Sequence, residues 1–180
     1  MDTNALINRL TRVVRFDATV YREIAGDQNA MGQAIVVVLA ASVLNAVGAV
    51  RAGLLFAVIA LVAGVIAFVL YSAVAAGVSR AMFQGKTDFQ EMARTLGFTY
   101  VWNALGLLGL VPLLGGIIGF IAWIAAIVSG VLALREAAEF DTGKAVITMI
   151  ISGIVAFGIY FCTVGPLAVF LGLAQAAAQR

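Results

Sequence analysis

Histidine is absent from this 180-residue chain, and there is one cysteine. Without histidine the commonest general base and the commonest metal ligand are missing, and most zinc and triad chemistry goes with them. The lone thiol, Cys162, cannot form an internal disulfide. It lies deep in an apolar run with no base nearby in sequence, which reads as a buried, unreactive group. Charge is scarce too, at 11% of residues, against about a quarter in an ordinary soluble domain. A net charge of +2 leaves no global basic field for nucleic acid. With 63% hydrophobic residues, the chain is neither a soluble globule nor a disordered tail.

What is present is long uncharged sequence. No Asp, Glu, Lys or Arg occurs from Gln28 to Val50, Ala52 to Ser79, Thr95 to Leu134 or Ala145 to Gln179. About 20 apolar residues cross a bilayer core, so each window is long enough. The third, as one helix, would be about twice the core thickness and must fold back. Pro112 and the Gly115-Gly116 pair supply the break. The fold class is therefore all-α, an integral membrane bundle of five transmembrane helices. The spans fall at about Ala30–Val50, Leu54–Ser79, Leu96–Val111, Gly116–Leu134 and Lys144–Val164. Gly165-Pro166 ends or bends the last, and the tail to Arg180 extends the helix or lies on the far surface. Three segments result: a cytoplasmic amphipathic N-terminus (1–29), a membrane domain (30–165) and a short tail (166–180).

The N-terminus has no uninterrupted apolar run and is not expected to be a cleaved signal. At 100° per residue, Leu6, Ile7, Leu10, Val13 and Val14 fall on one side. Asn8, Arg9, Thr11, Arg12 and Arg15 fall on the other, the pattern of an interfacial helix. Asp17 can cap a second short helix ending at Gly26. Arg9, Arg12, Arg15 and Arg22 are the candidate groups for docking membrane lipid or a protein partner. Thr87 and Gln90 have capping-box spacing, so a helix should start near Asp88. With the N-terminus inside, the inner segments hold Arg9, Arg12, Arg15, Arg22, Arg80, Lys86, Arg94, Arg135 and Lys144, and the outer ones only Arg51 and Arg180. This bias puts the N-terminus in the cytoplasm and the C-terminus outside.

Small residues must do much of the packing in lipid. Gly115, Gly119, Ala122, Ala126 and Gly130 form a stripe on span four. Ala60 with Gly64, and Ala73 with Gly77, repeat the spacing on span two. These read as seams within the monomer, with a homodimer face as the alternative. Asn45, Asn103 and Tyr160 are polar residues within spans, read as satisfied contacts or as the lining of a small polar path. No charge sits mid-span, which argues against a proton-coupled carrier.

The motifs that suggest chemistry fail on inspection. Gly85-Lys86-Thr87 lacks the earlier glycine of a phosphate loop, since position 80 is Arg80, and no strand precedes it. Thr87 reads instead as a cap. Glu136, Glu139 and Asp141 are acidic, but Arg135 and Glu139 are an i,i+4 pair and Asp141 a cap, so no metal is expected. With no acid/base or nucleophile pair, neither an enzyme nor a cofactor is expected.

The order of features resembles the Yip family (Ypt/Rab-interacting proteins), in its prokaryotic branch. Arg15-Phe16-Asp17 leads through Tyr21-Arg22-Glu23-Ile24 to Gln33-Ala34-Ile35. Gly85-Lys86-Thr87-Asp88-Phe89 leads into Arg94-Thr95-Leu96-Gly97-Phe98-Thr99. The hairpin Leu110-Val111-Pro112-Leu113-Leu114-Gly115-Gly116 precedes a span with Trp123, and Leu134-Arg135-Glu136 turns to Gly143-Lys144-Ala145. The match covers about residues 15 to 165. It implies five spans and a cytoplasmic N-terminus. Eukaryotic relatives act in vesicle traffic with Rab-type GTPases. Here their Asp-Leu-Tyr-Gly-Pro stretch is missing, with Gly26-Asp27-Gln28-Asn29-Ala30 near its place. No proline follows Gly97-Phe98-Thr99-Tyr100 until Pro112. An Ala- and Val-rich chain with few lysines suggests a prokaryotic inner membrane, where Rab traffic would not apply. The expected role is a non-enzymatic scaffold or adaptor binding a protein partner or anionic lipid at the cytoplasmic face. The alternative is a small transporter, or a lipid-binding or permease-accessory protein, for a neutral or lipophilic substrate.

Overall fold

The computed structural model describes residues 2–50, 53–111 and 114–178, and all its regular structure is helical. The helices are α1 (Thr3–Val14), α2 (Ala18–Gly26), α3 (Ala30–Ala49), α4 (Leu54–Phe83), α5 (Phe89–Thr99), α6 (Leu114–Ala137) and α7 (Thr142–Ala178). A 3-10 helix, Tyr100–Leu110, continues α5. Four stretches are long and apolar enough to cross a membrane: Ala30–Gly48, Leu54–Phe83, Gly115–Ala137 and Thr142–Cys162. The turn at Arg51-Ala52 and the break at Pro112 lie outside the described residues.

Local signals set most helix starts. The Asp2 carboxylate accepts from the backbone N–H of Asn4, and that of Asp17 from Thr19, opening α1 and α2. Asp88, not Thr87, caps α5 by accepting from the Glu91 N–H at 2.7 Å. Asp141 caps α7 by accepting from the Lys144 N–H at 3.0 Å. Helix ends are less orthodox. Phe16, Gln84 and Glu139 follow α1, α4 and α6 with φ of 57°, 55° and 55°. This left-handed conformation normally favours glycine. Each bend closes with a backbone bond back into its helix: Asp17 N to Arg12 O, Gly85 N to Ser79 O and Phe140 N to Arg135 O.

Span three departs from expectation. It is not one α-helix from Leu96 but α5 followed by an eleven-residue 3-10 run. Such long 3-10 stretches are uncommon because their hydrogen bonds are poorer. Close packing accompanies this one. A Cβ on Gly48 would collide with the carbonyl of Gly106, and one on Gly106 with the side-chain oxygen of Asn45. A Cβ on Gly97 would come within 2.8 Å of the Ala34 Cβ. The backbones of α3 and the α5/3-10 segment thus touch along their length. At Pro166 the helix does not end: α7 runs through it to Ala178. Transmembrane helices tolerate such a proline because neighbouring groups can re-satisfy the freed carbonyl.

The bundle has two kinds of interior. At the end carrying α1 and α2, large side chains are buried: Val13, Val20, Tyr21, Ile24, Met92, Phe98 and Leu134. Burying each such side chain from water contributes roughly 1.5–3 kcal/mol. Helix α5 lies at the centre, with every residue from Met92 to Thr99 buried. Farther along, the interior is made of small residues such as Ala41, Ala46, Ala57, Ala63 and Ala156, while large apolar side chains point outward.

Candidate functional site

The candidate site is the charged end, where α1, α2, α5 and the α6–α7 turn meet. Its first layer is an ion-pair clasp. Arg9 is 8% exposed. Its Nε donates to Glu23 at 2.9 Å, Nη1 to Gln33 at 2.8 Å and Nη2 to Asp27 at 2.7 Å. Arg12 donates to Asp17 at 2.8 Å, to Glu23 at 2.6 Å and to the Thr19 hydroxyl at 2.9 Å. Glu23 therefore bridges two guanidiniums, one per oxygen. These bonds tie α1 to α2 and, through Gln33, to α3.

The carboxylates respond accordingly. Hydrogen bonds from Thr19 and then Arg12 hold the Asp17 carboxyl down at about 2. Glu23 lies below its ordinary value although burial pushes it up, because Arg12 and Arg9 both donate to it. Asp27 is lowered chiefly by its bond from Arg9.

A second layer fixes α2 to the bundle. Arg94, buried on α5, donates Nη2 to the Ala25 carbonyl at 2.6 Å, near the C-terminal end of α2. A cation there meets the negative end of the helix dipole. Phe16 stacks on Trp102 with ring centroids 5.4 Å apart, and Trp102 donates Nε1–H to the Ser129 hydroxyl at 2.7 Å. The bend after α1 is thereby pinned to the 3-10 helix and α6.

The third layer is a polar cavity of about 590 Å³ lined by Arg22, Arg135, Glu136, Glu139, Phe140, Asp141 and Thr142. The Glu136 carboxylate, 5% exposed, is ion-paired with Arg22 at 2.6 Å and accepts from Arg135 at 2.7 and 3.0 Å. Arg135 thus pairs with its neighbour Glu136 rather than with Glu139 as the helical spacing suggested. Glu139 instead lies 3.8 Å from Lys86, and the second oxygen of Asp141 lies 3.7 Å from Lys144.

Of the four arginines picked out for docking, Arg9, Arg12 and Arg22 are committed to carboxylates within the chain. Arg15 is exposed and makes neither ion pair nor side-chain hydrogen bond among the described residues. Along the apolar side of α1, Val13 is buried and Leu6 and Leu10 pack against the core, while Ile7 and Val14 stay exposed. The partners of Arg9 lie 14 to 24 positions away, beyond the reach of a helical-periodicity argument.

The three polar span residues do not converge. Asn45 and Asn103 are exposed, with Asn45 lying against Gly106. Tyr160 lines a separate cavity of about 310 Å³ with Tyr71, Tyr100, Phe157 and Ala67, between α4, α7 and the 3-10 helix. The span-four stripe divides. Ala122 and Gly130 are buried, Gly130 against Met149 of α7, while Gly115 and Ala126 are half-buried. Gly119 is exposed, with nothing within 4 Å of a built Cβ. Cys162 is exposed on α7 rather than buried.

A family profile described as the Yip1 domain matches residues 12–164, well over half of the chain. No curated protein and no solved structure matches.

Proposed function

The chain belongs to the Yip1 domain family, and from that premise we propose that it is a non-enzymatic membrane scaffold whose charged end docks a protein partner or lipid headgroups. The observation that carries this reading is the construction of that end. Water-type packing, buried aromatic rings and a clasp of ion pairs hold a rigid surface at the mouth of the bundle. Ile7, Val14 and Phe16 remain exposed there, beside Arg15, which has no ion-pair partner among the described residues. An apolar strip flanked by a cation suits the bilayer interface, so α1 serves as an interfacial helix that lies against the bundle.

The same proposal includes a fifth crossing. Residues Phe89 to Leu110 form one helical run, eleven residues α and eleven 3-10. Its uncharged part, Thr95 to Leu110, is about 30 Å long at about 1.5 and 2.0 Å per residue, enough for the hydrocarbon core. The Lys/Arg bias supports a cytoplasmic charged end, and the Ala- and Val-rich composition with few lysines supports a prokaryotic inner membrane.

Native mass spectrometry of protein gently extracted from its own membranes tests the role. A stoichiometric protein partner or a retained lipid, lost in R15E, is the expected result. A bare monomer in both proteins contradicts it. A second reading, a carrier or binder of a lipophilic molecule, is favoured by the tyrosine-lined cavity around Tyr71, Tyr100 and Tyr160. A retained small molecule that disappears in Y160F and persists in R15E would select that reading.

A further inference from the structure

The polar cavity at the α6–α7 turn has properties the scaffold reading does not need. It lies between the end of Gly115–Ala137 and the start of Thr142–Cys162, where two membrane-crossing helices leave the hydrocarbon. At about 590 Å³ it is large enough for a small polar ligand. Charges of both signs line it, Arg22 and Arg135 against Glu139 and Asp141. We infer that this cavity holds the headgroup of a phosphoethanolamine lipid, the phosphate on Arg22 and Arg135 and the ammonium on Glu139 and Asp141.

The pairing pattern supports that division of labour. Glu136 is buried and spends both oxygens on the two arginines, which fixes where the guanidiniums sit. Arg22 uses only Nη2 in that ion pair and its side chain is 75% exposed. The rest of its planar fork is open to a phosphate diester, which matches it geometrically. Among the described residues, the carboxylate of Glu139 is held only by Lys86, at 3.8 Å, beyond hydrogen-bonding distance. Asp141 has one oxygen on the Lys144 N–H and the other 3.7 Å from the Lys144 ammonium. A loosely held carboxylate, Glu139, and the capping Asp141, beside two guanidiniums gathered on Glu136, suit a zwitterion. A purely anionic headgroup meets repulsion from Glu139 and Asp141. A choline headgroup offers no N–H to them. A bare divalent cation meets the arginines.

Glu139 also stands where the backbone prefers glycine, at φ 55° after α6. Phe16 and Gln84 take the same conformation after α1 and α4, and glycine can replace Glu139 there without disturbing the turn.

The inference rests on the scaffold reading, which puts this end at a membrane surface. The full-length protein is purified in detergent and offered equal amounts of phosphatidylethanolamine, phosphatidylglycerol and phosphatidylcholine, with bound lipid counted by native mass spectrometry. Phosphatidylethanolamine should be retained in preference to both others. R22Q should weaken retention of both phosphatidylethanolamine and phosphatidylglycerol by about tenfold, the worth of one charge-assisted hydrogen bond. E139Q should weaken phosphatidylethanolamine alone. E139G should remove the preference while leaving the melting temperature unchanged or higher, which separates a lost contact from a lost fold. Equal retention of the three lipids, or a preference for phosphatidylglycerol untouched by E139Q, overturns the inference. A stoichiometric protein partner without lipid selectivity overturns it and leaves the scaffold reading standing. Neither partner nor lipid removes both.

Discussion

The two ends of this bundle are held together by different physics. At the charged end, Tyr21, Ile24, Met92, Phe98 and Leu134 are fully buried and Arg9 binds three partners at once. Within the crossing segments the interior is mostly alanine, glycine and serine, with Val37, Val38 and Phe68 as larger exceptions, and residues such as Val62, Phe120, Ile154 and Phe157 face outward. Helix α4 shows this most clearly: only 17% of its most apolar window is buried, against 44% for α3. Water explains the difference. Where water is present, burying a large apolar side chain stabilises the fold. Where lipid replaces water, Leu and Phe gain nothing by turning inward, and close backbone approach takes over. Size therefore marks the inside at one end and the outside at the other.

Glycine substitutions should break the membrane-side half of this contrast, with the largest effect. G48L drives a side chain into the Gly106 carbonyl and should cost about 3 kcal/mol, the upper range for overpacking. G119L meets nothing within 4 Å and should change stability by less than about 0.5 kcal/mol, as for an ordinary surface position. Thermal unfolding in detergent compares the two. Similar losses in both would show that the span-four stripe is packed as tightly as the contact between α3 and the 3-10 helix.

Next in size is the clasp. R9M removes a buried guanidinium from two carboxylates that are themselves partly exposed, so the loss should be about 2 kcal/mol, below the value for a fully buried pair. Hydrogen exchange across Thr3–Gly26 should rise while exchange in α4 stays fixed. R15Q, at a cation without a pair, should leave both unchanged. If R9M left residues 3–26 as protected as before, Arg9 would not be what ties α1 to the bundle.

Acid should act on the same end alone. Asp17, Glu23 and Asp27 all lie below their ordinary values in the folded protein. A lowered carboxyl contributes stability above its unfolded value, and the contribution is lost as pH falls through the folded one. For Asp17 that window runs from 3.8 down to about 2. Phe16 against Trp102 supplies an optical reporter, and tryptophan fluorescence should change through this window. R12Q should move the change to higher pH. A transition at the same pH in R12Q would show that the clasp does not set it.

The smallest effect concerns Gln84, left-handed at φ 55°. Q84G should stabilise by about 0.5–1 kcal/mol, since glycine adopts this conformation without strain. A loss of stability would mean that the Gln84 side chain has a role in the turn.

Much of the membrane architecture was legible in sequence. Charge-free windows located α3, α4, α6 and α7, and Asp17 and Asp141 marked helix starts by ordinary capping chemistry, while the α5 cap was read one residue early, at Thr87 instead of Asp88. The 3-10 run was not legible, because its cause lies in α3: Gly48 and Asn45 press on Gly106 from a distant stretch of chain. At Pro166 the sequence left an end, a bend or a continued helix open, and α7 runs on through it. The arginines misled. Periodicity shows which face of α1 carries Arg9 and Arg12, but not that Glu23, Asp27 and Gln33 return to meet that face. Glu136 was noted as acidic, yet its burial between Arg22 and Arg135 depends on α2 packing against α6.

The claim that binding belongs to the charged end is tested most directly by one comparison. Native mass spectrometry of membrane-extracted wild type, R22Q and Y160F reads out whatever each retains. Loss of the bound species in R22Q, with Y160F like wild type, is the outcome expected of a surface that docks. Loss in Y160F with R22Q unchanged would move the function into the tyrosine-lined cavity and contradict this account.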